Sequence, residues 1–347
     1  MKLSYETICS LTHGTSYTEK LDNKIMFSRF SKHERSILTY GQDNSFSTAG
    51  IRLEFETDSR LLKIAVCTVE SNPHERNFYS FDIYSNGKMI GQIKNFKKSP
   101  RYPYKKYSLS DRQRIFRFPI GLKRICVYFP WSVQGMIKEI ELDDNASVFP
   151  VSKQKKIIMY GDSITQGYDA ESPSLSYASR LTDLLNADAV NKGIGGSVFM
   201  PELSKVKEAF TPDLITVAYG TNEWRGSTFQ SFNIRCRAFF ENLIQNYPNT
   251  SILAIAPIWR ADSAERHSLG DFSRVADTIY KISTQHPNIH FIDGIKFIPQ
   301  NAEYYRDLYL HPNDKGFDFY IKSLASELKK YNINHNHPSN GWFALGL

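Results

Sequence analysis

The sequence predicts an α/β protein in two parts, an antiparallel β-sandwich or jelly roll followed by a doubly wound parallel sheet. Its 347 residues exceed the length of one typical domain. Apolar and polar side chains alternate over residues 51–142, whereas short apolar runs alternate with amphipathic stretches from residue 151 onward. We therefore expect a first domain over 1–150, a second over 151–332 and a tail over 333–347.

The first part consists of short predicted strands. Three apolar residues alternate with three charged ones over 51–56, which is the period of a strand with one buried face. The sequence Ser-Asn-Gly-Lys at 85–88 lies between two apolar pairs and predicts a hairpin turn. Further strands are expected at Ile64–Val69, Phe78–Tyr84, Ile115–Phe118, Cys126–Phe129 and Ile137–Leu142. Several short strands with polar turns are typical of a β-sandwich or jelly roll.

The second part contains near-continuous apolar runs, as expected for strands that are covered on both faces. These runs are Ile157–Tyr160, Ala187–Asn191, Leu214–Tyr219, Ser251–Pro257 and Ile289–Asp293. Apolar stripes from Phe232 to Tyr247 and from Phe317 to Leu328 predict amphipathic helices. Ligands of such sheets bind outside the carboxyl ends of the strands, so we expect the functional residues in the loops that follow the strands.

Composition restricts the class of protein. The N-terminus lacks an apolar signal region, and no run of 18 apolar residues occurs, so we expect a cytoplasmic protein without a membrane partner. The widely spaced cysteines indicate buried free thiols rather than a zinc site or a disulfide framework. They are Cys9, Cys67, Cys126 and Cys236. His335 and His337 in the tail are interpreted as solvated residues rather than metal ligands.

The formal net charge is +7, and much of the excess lies in one basic stretch with interleaved aromatic residues. Its cations are Lys94, Lys97, Lys98, Arg101, Lys105, Lys106, Arg112, Arg114 and Arg117. Such a stretch either binds an anionic partner, such as a polysaccharide or nucleic acid, or is a solvated loop between strands. We favour the solvated loop because no nucleic-acid-binding motif accompanies the charge.

Three loops after the first three predicted strands carry polar or glycine-rich sequences. Ser163 lies in GDSITQG, where a hydroxyl between small residues becomes a nucleophile once a base takes its proton, although the same string also suits a helix cap. Gly196 lies in NKGIGGS, whose glycines allow a backbone N–H to approach an oxyanion. Asn222 lies in YGTNEW and is either a second oxyanion donor or a turn residue.

A histidine follows the fifth predicted strand. His311 lies in DLYLHPND, just before the last predicted helix. This position is at the same edge of the sheet as Ser163, so the imidazole can reach the serine across the top of the sheet.

Taken together and in this order, GDSIT, NKGIGG, YGTNE and LHPND resemble the sequence blocks of the SGNH/GDSL hydrolase family, whose sheet is flavodoxin-like. The blocks lie within about half of the chain. The resemblance implies a serine esterase with Ser163 as nucleophile and His311 as general base. It also implies that Gly196, Asn222 and the Ser163 N–H hold the oxyanion, without a metal or an organic cofactor.

The sequence departs from the family pattern at two positions. Glu223 replaces the aspartate of the third block, which is not usually catalytic. Leu308 stands where the family has the aspartate that supports the histidine, and the nearest acid is Asp307, four residues before His311. We take Asp307 as the partner, brought into place by a bulge or a helical turn. A backbone carbonyl that orients the histidine remains the alternative, and Asp314 is disfavoured because we expect it to cap the last helix.

The displaced spacing has a consequence for mutagenesis. Because Asp307 is one residue out of register, we expect Asp307→Ala to lower kcat much less than His311→Ala. Equal losses would indicate a conventional triad.

The first part carries a second resemblance. FDIY followed by SNGK, and VYFPW leading to IKEI, resemble the β-sandwich that precedes the hydrolase domain in some bacterial esterases over about residues 30–148. These include relatives of carbohydrate esterase family 2, which deacetylate sugars. Trp224, Trp259 and Arg260 follow strands of the sheet and are candidate walls of the substrate pocket, with core packing an equal alternative for Trp224.

These observations favour hydrolysis of short acyl esters, above all acetyl esters, on a small molecule or an oligosaccharide. A lipid esterase or thioesterase of the same fold is the first alternative, although no long apolar flap is present. A carbohydrate-binding protein with impaired catalysis is the second. The sequence leaves the oligomeric state open and indicates no nucleic-acid partner.

Overall fold

The computed structural model describes residues 1–39, 41–72, 76–331 and 333. The tail expected over 333–347, with His335 and His337, lies outside the described residues except for Ile333.

The first part is a sandwich of two antiparallel sheets. Its strands are β1 (Thr12–His13), β2 (Tyr17–Leu21), β3 (Lys24–Ser28), β4 (Arg52–Thr57), β5 (Leu61–Glu70), β6 (Ser80–Ser85), β7 (Lys88–Lys94), β8 (Arg112–Arg117), β9 (Lys123–Tyr128), β10 (Val133–Leu142) and β11 (Val148–Pro150). Helix α1 (Tyr5–Ser10) precedes β1, and α2 (Lys32–Ile37) follows β3. One sheet has the order β1-β4-β9-β6-β7, with β11 also paired to β4, and the other has the order β2-β3-β10-β5-β8.

Side chains from both sheets fill the space between them. The alternation seen in the sequence places one face of each strand in this core, which explains why the predicted strands are found. Fully buried members include Phe27, Leu53, Phe55, Ile64, Phe81, Val127 and Ile137. The predicted hairpin is also present, since Ser85 pairs with Lys88 and both residues between them, Asn86 and Gly87, have positive φ.

Strands β2 and β3 were not expected from the sequence. Every side chain of β2 is at least partly exposed, so this strand has no apolar alternation to detect. Four consecutive residues of β3 are buried, so its sequence has no alternation either. Strand β3 pairs with β10, which lies more than one hundred residues further along the chain, and β2 pairs with the other edge of β3.

The second part is a parallel sheet with helices on both faces. Its strands are β12 (Lys155–Gly161), β13 (Ala187–Gly193), β14 (Leu214–Ala218), β15 (Ser251–Ile255) and β18 (Ile289–Ile292), with a short hairpin of β16 (Arg266–His267) and β17 (Gly270–Asp271). Its helices are α3 (Ser163–Gln166), α4 (Tyr177–Leu184), α5 (Pro201–Lys205), α6 (Thr221–Gly226), α7 (Phe229–Asn246), α8 (Ser273–Ser283) and α9 (Asp314–Lys330).

The order of the parallel sheet is β13-β12-β14-β15-β18, the flavodoxin-like arrangement that the sequence analysis anticipated. Side chains of α4 and α9 pack on one face, and those of α7 and α8 pack on the other. The predicted α/β class with an N-terminal sandwich is therefore confirmed. The strand order reverses at β12, so the loops after β12, β13 and β14 meet at the edge where ligands bind in such sheets.

The two parts are joined at α4 and β13. Arg52 of β4 forms an ion pair with Asp183, and Tyr128 of β9 donates a hydrogen bond of 2.9 Å to the same carboxylate. Nearby, the buried Lys192 of β13 lies 2.7 Å from a carboxylate oxygen of Glu34 in α2. Buried charges require such partners, so these contacts hold the sandwich in one position on the sheet.

Two further expectations concern membrane-spanning helices and the cysteine thiols. Among the described residues, no helix has the length and the apolar character needed to cross a membrane. Cys67, Cys126 and Cys236 are buried thiols, as expected, whereas Cys9 is only partly buried.

The long helix α7 supplies a matched test of the core. Phe239 is fully buried, with its ring centroid 5.3 Å from that of Tyr160 and 5.6 Å from that of Tyr219. We expect Phe239→Ala to lower the free energy of unfolding by about 3–5 kcal/mol, because it leaves a cavity between helix and sheet. Ile234, on the same helix, is 60% exposed, so Ile234→Ala should change the free energy of unfolding by less than about 0.5 kcal/mol. Urea denaturation measures both, and similar changes in the two variants would contradict the observed packing.

Candidate active site

Ser163 lies at the carboxyl edge of the sheet, where β12 gives way to α3. Asp162 caps this short helix by accepting a hydrogen bond of 2.9 Å from the Ile164 N–H. A Cβ on Gly161 would lie 2.0 Å from Thr165 Oγ1, so only glycine fits below the turn. The GDSIT sequence therefore gives a tight strand-to-helix turn that presents the serine at the rim.

His311 connects the serine to an acid. Its Nε2 lies 2.9 Å from Ser163 Oγ, and its Nδ1 lies 2.6 Å from Asp307 Oδ2. The structure thus brings together the three residues that the sequence proposed as nucleophile, base and supporting acid. Because Nδ1 lies within hydrogen-bond distance of a carboxylate, no backbone carbonyl is needed to orient the ring.

A one-residue bulge at Leu308 accounts for the displaced acid. Leu308 has φ +59°, which is uncommon for a residue with a branched side chain, and it is 62% exposed. The chain turns around the carboxylate of Asp307, whose Oδ1 accepts backbone N–H bonds from Tyr309 at 3.0 Å, Leu310 at 2.8 Å and His311 at 3.0 Å. These three bonds fix the carboxylate against the imidazole.

The environment of Asp307 keeps its carboxyl ionised. Burial raises the pKa of this group, but the hydrogen bond and charge of His311 and the surrounding backbone N–H groups outweigh burial and hold the pKa well below its usual range. A permanently charged carboxylate stabilises an imidazolium on His311 during proton transfer.

Asp314, the disfavoured substitute for Asp307, is occupied elsewhere. Its Oδ1 accepts a hydrogen bond of 2.9 Å from the Glu171 N–H. The expectation that Asp314 caps the last helix is wrong, because Asn313 is the cap and accepts a hydrogen bond of 3.0 Å from the Gly316 N–H. Asp314 is instead the first helical residue.

Gly196 and Asn222 lie in adjacent loops at the same edge. Gly196 has φ +74°, and a Cβ built on it meets no atom within 4 Å, so its backbone faces open space. Asn222 Nδ2 donates a hydrogen bond of 2.8 Å to the carbonyl of Ser197, the residue after Gly196. This bond directs the amide of Asn222 toward the glycine loop and leaves its second N–H for another acceptor.

The glycine loop is hydrogen-bonded to helix α3, which begins at Ser163. Gln166 Oε1 accepts a hydrogen bond of 2.8 Å from the Gly195 N–H. Asn191 Nδ2 donates to the Thr165 carbonyl at 2.7 Å, and its Oδ1 accepts from the Gly193 N–H at 2.8 Å. These side-chain bonds fix the distance between Ser163 and the loop, which is what a preorganised oxyanion site requires.

Arg29 of the sandwich holds the same loop, although no sequence pattern predicts this contact. Its guanidinium is fully buried and donates to the carbonyls of Asn191 at 2.8 Å, Asn44 at 2.8 Å and Ser47 at 2.9 Å, and also to that of Gly193. With no carboxylate among these partners, burial lowers the pKa of Arg29 to about 9. The arginine links the sandwich to the start of the glycine loop.

Arg76, which the sequence analysis also missed, brings the sandwich to His311. Its Nε lies 2.6 Å from Asp169 Oδ1, and its Nη2 lies 3.3 Å from His311 Nδ1 and 3.7 Å from Asp307 Oδ2. The Tyr168 ring packs against the imidazole with 5.4 Å between centroids. Arg76 lies in a polar segment between two strands, where neither spacing nor periodicity marks it.

Two of the candidate pocket walls prove to be buried supports. Trp224 is fully buried, and its indole N–H donates a hydrogen bond of 2.8 Å to the Gly270 carbonyl. Arg260 is 2% exposed and pairs with Asp262 at 2.6 Å. The prediction that these two side chains form the pocket wall is therefore corrected, because neither has exposed surface to offer a ligand. Trp259 is partly buried and packs near the rim.

Glu223, the departure in the third block, is a structural residue. It is fully buried, and its Oε1 accepts a hydrogen bond of 2.6 Å from the Phe199 N–H. Burial raises the pKa of its carboxyl to about 7. The bond ties the chain that leaves the glycine loop to the helix that carries Asn222.

Asp169, Asp307 and His311 could in principle hold a metal ion, since one ligand atom of each lies within 4.8 Å of the others. The guanidinium of Arg76 contacts all three residues and already supplies a cation at this place. The arrangement therefore suits an arginine-supported proton relay rather than a metal centre.

The sequence of this region matches a known family. Residues 159–319, which carry Ser163, Gly196, Asn222, Asp307 and His311, match the GDSL-like lipase/acylhydrolase family. These residues form a GDSL-like lipase/acylhydrolase domain. None of the curated proteins compared with the chain matched it significantly in sequence.

Solved structures resemble this chain over both parts. The salicylyl-acyltransferase SsfX3 of a tetracycline biosynthetic pathway shares 20% identity, with 94% of this chain and 96% of that chain covered and a TM-score of 0.79. A Bacteroides ovatus protein classed as a GDSL-like lipase shares 20%, with coverages of 95% and 97% and a TM-score of 0.74. A family two carbohydrate esterase of Cellvibrio japonicus shares 16%, with coverages of 95% and 97% and a TM-score of 0.66. These similarities show a common fold that includes the sandwich.

The contact between Asp307 and His311 revises the mutational expectation. With Nδ1 held by the carboxylate, we expect Asp307→Asn to lower kcat on the order of 10⁴-fold, because the amide favours the wrong tautomer of the imidazole. Steady-state kinetics with an activated acetyl ester measures this loss, and Asp277→Asn on the exposed face of α8 is the control. A loss smaller than about tenfold would show that another group orients the ring.

Proposed function

We propose that the chain is a serine esterase that removes short acyl groups, above all acetyl, from a carbohydrate through an acyl-enzyme intermediate. The observation that supports this most strongly is the continuous contact from Asp307 through His311 to Ser163, with distances of 2.6 Å and 2.9 Å. A serine hydroxyl gains its nucleophilicity from this arrangement.

In the first step His311 Nε2 takes the proton of Ser163 as Oγ attacks the ester carbonyl carbon. The negative charge that develops on the carbonyl oxygen is held by the N–H groups of Ser163 and Gly196 and by Nδ2 of Asn222. His311 then gives its proton to the departing alcohol oxygen, and the acyl group remains on Ser163. Asp307 stays ionised throughout.

In the second step a water molecule gives its proton to His311 as it attacks the acyl carbonyl. The same donors hold the oxyanion again. His311 returns the proton to Ser163 Oγ, and the carboxylic acid leaves. His311 is the donor or the acceptor in every proton transfer of the two steps.

Support for a carbohydrate ester comes from the two-part architecture. A sandwich followed by a hydrolase domain is shared with the family two carbohydrate esterase of Cellvibrio japonicus, and another carbohydrate esterase of that family, from Clostridium thermocellum, has been solved with cellohexaose. The sequence motifs of the sandwich favour the same class of substrate. The absence of a long apolar flap in the sequence argues against long acyl chains.

Acyl transfer to a second alcohol is the other candidate, favoured by the likeness to the acyltransferase SsfX3 over 94% of the chain. Transfer and hydrolysis share the first step and differ only in whether water or an alcohol accepts the acyl group. Adding acceptor alcohols to the assay and analysing products by mass spectrometry separates them.

A direct test compares p-nitrophenyl acetate with the octanoate. We expect kcat/KM to be at least about tenfold higher for the acetate, and Ser163→Ala to lower kcat on the order of 10⁵–10⁶-fold. Ser36→Ala, an exposed serine on α2, is the control for expression and folding. A preference for octanoate would support a lipid esterase, and an undiminished rate in Ser163→Ala would disprove the assignment of the nucleophile.

A further inference from the structure

The loop between β7 and β8 encloses a groove beside the active site. A cavity of about 910 Å³ lies along this loop. Its lining residues are Asn95, Phe96, Lys97, Lys98, Ser99, Arg101, Pro103, Lys105 and Tyr107. The groove is part of the basic stretch that the sequence analysis interpreted as a solvated loop.

The cations of this groove are not neutralised within the described residues. Lys97, Lys98, Arg101 and Lys105 are exposed and have no carboxylate within ion-pair distance there. Lys106, on the same loop, differs because it lies 2.6 Å from Glu70. Positive charge collected along one concave surface attracts an anionic ligand.

The groove also has a fixed aromatic floor. Phe96 is buried, with its ring centroid 6.0 Å from that of Phe78 and 6.4 Å from that of Tyr107. Asn77 holds the two arms of the loop, since its Nδ2 donates to the Tyr107 carbonyl at 2.8 Å and its carbonyl accepts from Asn95 Nδ2 at 3.0 Å. A loop that serves only as a solvated connection has no need of this bracing.

The groove leads toward the catalytic residues. The Arg306 side chain donates to Ser99 Oγ and to the Pro100 carbonyl, both at 2.9 Å, and its backbone N–H donates to the His311 carbonyl at 2.8 Å. A second cavity of about 530 Å³ shares Ser99 and Arg101 with the groove and reaches Leu308. One continuous surface thus connects the cationic loop with the bulge that carries Asp307.

We propose that this groove, the cationic groove, binds the carboxylate groups of a uronate-containing glycan while an ester on that glycan lies at Ser163. The inference rests on the proposed esterase function. Lysine and arginine pair with carboxylates, and the exposed ring of Tyr102, which lines the second cavity, offers an apolar face to a sugar. A nucleic acid fits the same charge less well, because the groove adjoins a site for ester chemistry.

The test compares two substrates, acetylated polygalacturonate and acetylated xylan, at about 50 mM and about 500 mM NaCl. We expect kcat/KM for the anionic polymer to fall about tenfold or more with salt, and kcat/KM for the neutral polymer to change less than about twofold. Lys97→Glu with Lys98→Glu should lower kcat/KM for the anionic polymer by about tenfold and leave that for p-nitrophenyl acetate unchanged. The matched control, Lys281→Glu with Lys296→Glu, makes the same change in net charge on another surface.

Equal salt dependence for the two polymers, or equal losses in the two double variants, would overturn the proposal. The proposal would also be overturned if single-stranded RNA bound the wild type more tightly than the anionic glycan does and if the groove variant lost this RNA binding. If the wild-type protein cleaves none of the esters, that result contradicts the proposed esterase function but not the proposed binding of uronate. Calorimetric binding of de-esterified polygalacturonate to the wild type and the groove variant then still decides whether the groove recognises uronate.

A second inference concerns Arg76, and it rests on the contacts of the catalytic histidine alone. The charged and titratable groups around the imidazole come from several elements. They are Asp307 on its own loop, Asp162 at the start of α3, Tyr168 and Asp169 after that helix, and Arg76 of the sandwich. Arg76 is the cation among these described groups, and it also lies over the rings of Tyr168 at 5.2 Å and Tyr104 at 4.9 Å.

We infer that Arg76 is a positioning residue that acts through His311 and Asp307. Its guanidinium pairs with the fully buried Asp169, so this carboxylate does not compete with Asp307 for the Nδ1 proton. It also fixes Tyr168, whose ring supports one face of the imidazole. The sandwich thereby contributes to catalysis without touching substrate.

The pH dependence of Arg76→Gln tests this role. Loss of a cation beside the imidazole favours its protonated form, and His311 must be deprotonated to act as base, so the acid limb of kcat/KM moves to higher pH. We expect this shift together with a fall in kcat of about 10–100-fold at neutral pH and a KM within about threefold of the wild type. Arg76→Lys, which keeps the charge, should restore the position of the limb.

A lower kcat with an unmoved acid limb would overturn the inference, because a merely structural arginine would give that result. Arg76→Lys behaving like Arg76→Gln would also overturn it. Thermal unfolding of both variants shows whether each is folded at the assay temperature. Their kinetics are compared at a temperature below the lower of the two unfolding transitions.

Discussion

The hydrogen bond between Asp307 and His311 is the interaction on which the active site depends. It exists because Leu308 takes a left-handed conformation and lets the chain close around the carboxylate, whose Oδ1 accepts three backbone N–H bonds. The imidazole is thereby held 2.9 Å from Ser163 Oγ at the carboxyl edge of the sheet. The parallel strands supply a rigid base for these loops, and rigid placement is what makes a proton relay effective.

The β-sandwich is part of this site rather than an attached module. Arg29 reaches the carbonyls at the start of the glycine loop, and Arg76 reaches the histidine and its acid. Both arginines lie in or beside strands of the sandwich, and both are largely buried against the hydrolase domain. A change in the docking of the two parts would therefore alter the oxyanion loop and the base together. This coupling gives a physical reason why the structural relatives share both parts of the chain.

Much of this arrangement could be predicted from the sequence. The rest could not, and the physical reasons can be named. The parallel strands are continuous apolar runs, and Ser163, Gly196, Asn222 and His311 follow them in recognisable blocks. The bulge at Leu308 depends on a backbone angle that no pattern of residue types reveals. Trp224 and Arg260 follow strands as pocket residues do, yet tertiary packing buries them. The roles of Arg29 and Arg76 depend on contacts with the second part of the chain, at separations of 93 residues or more, which periodicity and spacing cannot detect.

The most direct measurement of the central claim is chemical capture of the acyl-enzyme. The protein is mixed with p-nitrophenyl acetate, quenched in acid within the first turnover and digested for peptide mass spectrometry. We expect one acetyl group on the peptide that contains Ser163, and almost none on that peptide when His311 is replaced by alanine. An acetyl group found on a different residue, or labelling of Ser163 that proceeds equally fast without His311, would contradict it.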